Sequence, residues 1–131
     1  MERLIFATSN AGKMKEIREI LKDLKVEILS MREAGIDVDI VEDGKTFEEN
    51  ALIKARTIRD LTGCTVLADD SGLEVDALNK EPGIYSARYM GEETSYDLKN
   101  ANIIERLSGF SGRQRSARLV CVIAAAFPDG A

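Results

Sequence analysis

From Leu119 to Phe127 the chain reads LVCVIAAAF, an apolar run with no charge in it. It is too short to cross a membrane and rich in β-branched residues, so it reads as a strand. Apolar side chains on both of its faces are what a central strand needs, one covered above and below. That requirement, more than any other feature, points the chain towards an α/β fold, in which helices cover a sheet.

The remaining pattern supplies the other elements. RLIFAT (Arg3 to Thr8) is a short strand, followed by the polar loop TSNAGK and, from Lys13, apolar residues at helical spacing: Ile17, Ile20, Leu21 and Leu24. VEILSM is a second strand, and REAGIDVDIVEDG an acidic, irregular connection. In TFEENALIKARTIRDLTG, Thr46 with Glu49 three residues on makes a capping box, Ala51, Leu52, Ala55, Ile58 and Leu61 make one face, and Gly63 is the stop. TVLAD is a third strand and LEVDAL a fourth, followed by a Pro-Gly turn; TSYDLKNANIIERLSG is a third helix starting near Thr94 or Ser95. At 131 residues the chain is expected to form a single domain that buries roughly two thirds of its unfolded surface.

Composition excludes several functions. The formal charge of −5 gives no general footprint for nucleic acid or an anionic membrane, so an anionic ligand needs a local gathering of Lys, Arg and backbone N–H groups. The absence of histidine removes Ser-His-Asp and Cys-His catalysis and the common zinc sites within this chain. Cys64 and Cys121, far apart and each in an apolar setting, read as reduced thiols of a cytoplasmic protein.

Three stretches carry candidate chemistry. In TSNAGK, a strand runs into a loop and then a helix, which offers free N–H groups and the positive helix end to an anion, with Thr8, Ser9, Asn10 and Lys13 completing a phosphate cradle. It is not a Walker A loop: the glycine spacing fails and Met14 stands where Ser or Thr should hold magnesium. The plainer reading, an N-cap followed by a solvated lysine, stands beside it. In LADDSG, adjacent carboxylates point to opposite strand faces, so Asp69 and Asp70 are expected to do different work, one of them directed to the C-terminal edge where α/β proteins put their ligands. The alternative is that both start a turn. Glu42 lies outside the helix that would explain Glu48 and Glu49, and it is either a ligand residue or a solvated loop residue; an EF-hand fails because Val41 and Glu42 stand where Asp/Asn and Gly belong. Lys54 and Arg88 are possible phosphate partners or surface charges.

In this order, TSNAGK, EDGKTFEENALIKA, LADDSGLEVDAL and PGIYSARY resemble the Ham1/inosine triphosphatase family of nucleoside-triphosphate pyrophosphohydrolases, which clear non-standard purine nucleotides, from about Leu4 to the end of the chain. The resemblance implies an α/β fold with a mixed central sheet, flanked by helices and carrying an active-site cleft. Residues 1–131 would be the N-terminal part of that domain, with its C-terminal part missing. It implies that Thr8, Ser9, Asn10, Ala11, Gly12 and Lys13 hold the triphosphate, that Lys54 reaches it from the helix and that Ser71 touches the nucleotide. Glu42 and Asp70 would bind Mg²⁺, with Asp70 also the proton acceptor, so that Asp70 faces the cleft while Asp69 supports the turn or a second metal. Cleavage of the α–β bond of dITP, ITP or XTP, and a homodimer that binds neither nucleic acid nor membrane, follow from the same resemblance. Family members carry, beyond this point, an aromatic-glycine segment and a Ser-His-Arg segment that contact the base, so the base pocket is expected to be incomplete.

The final FPDGA adds hairpin-turn chemistry with no returning strand behind it, an edge that would tend to find another chain. A truncated, non-catalytic nucleotide-binding module, or one that dimerises through its last strand, is therefore the rival expectation. A phosphatase with Asp69 or Asp70 as nucleophile is a third, weakened because the pair lacks Asp-x-Asp spacing.

Overall fold

The structure is a computed structural model that describes residues 2–8, 11–91 and 94–130, the side chains of 87 and 88 excepted. It is mixed α/β, and the chain divides into two compact units, one formed by residues 1–70 with 122–131 and the other by residues 71–121.

In the first unit, β1 (Glu2–Phe6) runs parallel to both β2 (Val26–Ser30) and the start of β3 (Thr65–Val75), with Leu4 opposite Thr65 and Phe6 opposite Leu67. Parallel neighbours require crossover connections, which α1 (Ala11–Ile20) and α2 (Phe47–Thr62) provide. Thr46 caps α2 as expected, accepting from the Glu49 N–H, and Gly63 closes the helix at φ 68; Glu49 accepts from the Lys45 N–H, one residue before the cap, so the expected box does not close on Thr46. Its Ala51, Ala55 and Ile58 are fully buried against Ile5, Ala7, Val66 and Ala68. Leu61, expected on the same face, is exposed.

Two further expectations change. The first helix ends at Ile20 and buries only Met14, leaving Ile20 and Leu24 exposed, so its apolar spacing does not mark a core face. TVLAD and LEV are not separate strands either: β3 runs unbroken through Asp69, Asp70, Ser71 and Gly72 as far as Val75. The two carboxylates therefore sit within a strand and not at its end.

In the second unit, the end of β3 pairs antiparallel with β4 (Glu81–Pro82), and a 3₁₀ turn at Asp76–Leu78 stands where LEVDAL was expected to continue as strand. α3 (Tyr96–Arg106) starts at Ser95, whose side chain accepts from the Leu98 N–H. Val75, Leu78, Ile103 and Leu107 form this unit's core. Buried Ser86 stitches the 3₁₀ segment Gly83–Arg88 to β3, accepting from the Leu73 N–H at 2.9 Å and donating to the Gly83 carbonyl at 2.7 Å.

β5 (Ala117–Ala126) pairs with β3, but it is not covered on both faces as the sequence suggested. Strand alternation turns Val122, Ala124 and Ala126 onto the first core, whereas Leu119 is 85% and Ile123 59% exposed. Among the described residues no helix is long and apolar enough to cross a membrane.

Candidate functional site

The first unit gathers the charged residues that the sequence singled out. β1 ends beside β3, where the Ala7 N–H donates to the Leu67 carbonyl at 2.8 Å. The chain then passes Thr8 and enters α1 at Ala11, so Ala11, Gly12 and Lys13 form the first turn at the C-terminal edge of the parallel strands, the customary ligand edge of such sheets. Ser9 and Asn10 lie outside the described residues, as does the side chain of Arg88.

Asp69 and Asp70 follow Leu67 on β3 and have different partners. Asp69 is buried, and the Lys13 ammonium donates to its Oδ2 at 3.0 Å. Lys13 is thus anchored by a carboxylate, a role for Asp69 that differs from either one expected for it. Asp70 lies among other groups: Asn50, whose side chain hydrogen-bonds it, and the charges of Lys54 and Glu42. Lys54 Nζ is 3.4 Å from Glu42 Oε1. Ser71, the next residue on the strand, is exposed and belongs to the second unit.

Burial pushes the Asp70 carboxyl above the usual carboxylate range. The Lys54 ammonium and the Asn50 hydrogen bond pull it back, and the charges of Glu42 and Asp69 push it up again. Asp70 Oδ2 is buried with no hydrogen-bond partner. A carboxylate oxygen left this way is costly unless a cation or donor reaches it. The described residues include no cluster of three or more acidic or thiol metal ligands. Two carboxylates with hard oxygens suit a cation that draws its other ligands from water and substrate phosphates.

Asn50 is the residue that the sequence reading missed. It is 1% exposed, and its Oδ1 accepts from the Gly44 N–H at 2.8 Å. The signal was available: Asn50 lies four residues before Lys54, hence on the same helix face, and one residue from the buried position Ala51.

The fold and these residues together define a mixed-sheet α/β protein that pairs Lys13 with Asp69 and Lys54 with Glu42 and buries Asp70 Oδ2 without a partner. The Ham1 family model matches residues 4–131, and the chain belongs to that family. It is 50% identical to the dITP/XTP pyrophosphatase of Clostridium perfringens, over 99% of this chain and 67% of that protein. It is 47% identical to the dITP/XTP pyrophosphatase of Geobacter sulfurreducens, over 99% of this chain and 65% of the relative. Among solved structures, a Ham1 protein from Coxiella burnetii superposes with a TM-score of 0.87 at 40% identity, covering 95% of this chain and 63% of the other. The Ham1 protein of Staphylococcus aureus gives 0.81 at 42% identity, covering 98% of this chain and 65% of the other. The chain thus spans about two thirds of the length of the relatives it matches.

Proposed function

We propose that this chain carries the phosphate- and metal-handling half of a pyrophosphohydrolase that converts non-canonical purine nucleoside triphosphates, dITP, ITP or XTP, to the monophosphate and pyrophosphate. The observation that carries the proposal is Asp70, with one buried, unpartnered oxygen amid Glu42, Lys54 and Asn50. Glu42 and Asp70 would hold Mg²⁺, in keeping with their hard-oxygen chemistry and that unpartnered oxygen. The ion would neutralise phosphate charge and make a bound water more acidic.

The chain's own residues do the rest. Lys13 and Lys54 bind phosphate oxygens as point charges, with the amides that open α1 beside Lys13 and Ser71 against the nucleotide. Asp70 takes the proton of the water that attacks the α-phosphorus in line. The α–β bond breaks, and pyrophosphate leaves against Lys13 and the loop amides. We also propose a homodimer in the cytoplasm. The names of the relatives support the substrate class, and the described site supports the phosphate and metal chemistry.

Pyrophosphate release from dITP and XTP, compared with dATP and dGTP, with and without Mg²⁺, tests the proposal. Selective, metal-dependent release that is lost in Asp70→Asn supports it; hydrolysis unchanged in Asp70→Asn ends it. The exposed face of β5 favours a second reading, a nucleotide-binding module that associates through this strand without turnover. Triphosphate binding with no release, in an associated species, would select it.

A further inference from the structure

Asn50 is a polar side chain 1% exposed on a helix whose other buried residues are Phe47, Ala51, Ala55 and Ile58. Its Oδ1 accepts from the Gly44 N–H, which leaves the amide hydrogens to donate, and the Asp70 carboxyl accepts on that side. The bond leaves the other carboxyl oxygen, Oδ2, buried and without a partner. Gly44 lies two residues after Glu42. A Cβ there would stand 2.7 Å from Asn50 Oδ1 and 2.7 Å from Glu49 Cβ, so the loop reaches Asn50 only because residue 44 has no side chain.

We infer that Asn50 is a positioning residue for the cation site: its one planar amide ties the loop bearing Glu42 to the strand bearing Asp70 and leaves Asp70 Oδ2 as the oxygen open to a divalent cation. The inference rests on the reading of Glu42 and Asp70 as the cation's ligands. The side-chain type follows from the geometry. Aspartate would keep the acceptor for Gly44 but lose the donor and set a like charge against Asp70, whereas leucine would leave both partners unsatisfied. Outer partners that orient metal ligands commonly change metal affinity by about 10- to 100-fold when removed.

The test is Mn²⁺ binding to this 131-residue chain without nucleotide, followed by the electron paramagnetic signal of the free ion. Asn50→Ala is expected to weaken binding about tenfold in the native background and by less than about twofold in Asp70→Asn, because the ligand it orients is already gone. A residue that only stabilises the fold would give equal changes in both. Gly44→Ala keeps the amide but displaces it from the other side, and is expected to weaken Mn²⁺ in the same direction. In the unsubstituted chain, Mg²⁺ titration should shift the Asn50 side-chain amide resonances, a readout that needs no variant to fold. A folded Asn50→Ala that binds Mn²⁺ as the native chain does, or amide resonances that Mg²⁺ leaves in place, overturns the inference alone provided Asp70→Asn still weakens binding. Mn²⁺ affinity unchanged in Asp70→Asn overturns the ligand reading and the inference with it.

Discussion

Lys54 Nζ stands 3.4 Å from Glu42 Oε1, with the two side chains 17% and 32% exposed. Lys13 and Asp69 repeat the arrangement at 3.0 Å. Each lysine proposed for phosphate already faces a carboxylate, so the site carries its own counter-charges. A metal-bound triphosphate would exchange the Lys54–Glu42 pair, Lys54 turning to phosphate and Glu42 to the cation.

Replacing Lys54 should therefore move two affinities in opposite directions. Lys54→Met is expected to weaken binding of a non-hydrolysable triphosphate by at least about tenfold, the loss of one charge-assisted contact. The same change should tighten Mn²⁺ binding without nucleotide, because a competing cation has left Glu42 and Asp70. Calorimetric titration of both ligands checks it, and weaker Mn²⁺ binding would contradict the exchange.

Asp70→Asn is expected to abolish hydrolysis and at the same time raise thermal stability at neutral pH. The folded-state pKa of Asp70 is raised, first by burial. Between the ordinary carboxylate range and that raised value, the folded chain binds more protons than the unfolded one, so stability falls as pH rises through the window and the cost persists above it. The amide escapes this cost. Melting curves should place Asp70→Asn above the native chain at pH 7, with the gap closing on acidification below the window.

Lys13 and Asp69 differ in what their loss leaves behind. Lys13→Met strands the buried Asp69 carboxylate and should lower stability by about 2 kcal/mol, moderated because the Lys13 side chain is 42% exposed. Adding Asp69→Asn to Lys13→Met should recover part of the loss. Urea denaturation of the two single variants and the double variant measures the coupling, and strict additivity would refute it.

The exposed face of β5 and the first core should behave in opposite ways. Leu119→Thr with Ile123→Thr is expected to change stability by less than about 0.5 kcal/mol per site, whereas Ile58→Ala in the first core should cost about 3 kcal/mol. Light scattering of the Leu119/Ile123 variant also addresses association through this face: loss of a dimer present in the native chain would assign the contact to it.

The legible parts of this chain were those governed by short-range chemistry. Thr46, Glu49 and Gly63 specify α2 within a few residues, and the strand, loop and helix order around TSNAGK needs no distant contact. The four motifs that resemble the Ham1 family are linear, and the family match over residues 4–131 spans all of them. Less legible were faces and endpoints. Ile20 and Leu24 keep helical spacing, yet the first helix stops at Ile20 and both remain exposed; LVCVIAAAF is apolar throughout, yet one of its faces has no cover among the described residues.

By itself the sequence determined the element types, the caps and the residues available for chemistry, because propensity, periodicity and side-chain type act over a few positions. Only the tertiary structure decided which groups meet. Lys13 joins Asp69 across 56 positions of sequence, and Asn50 joins Gly44 to Asp70, because helix ends, a loop and a strand converge where the parallel strands finish. Charge pairing and the burial of Asp70 Oδ2 depend on distances through space, and those are fixed by how α1 and α2 cross between the parallel strands.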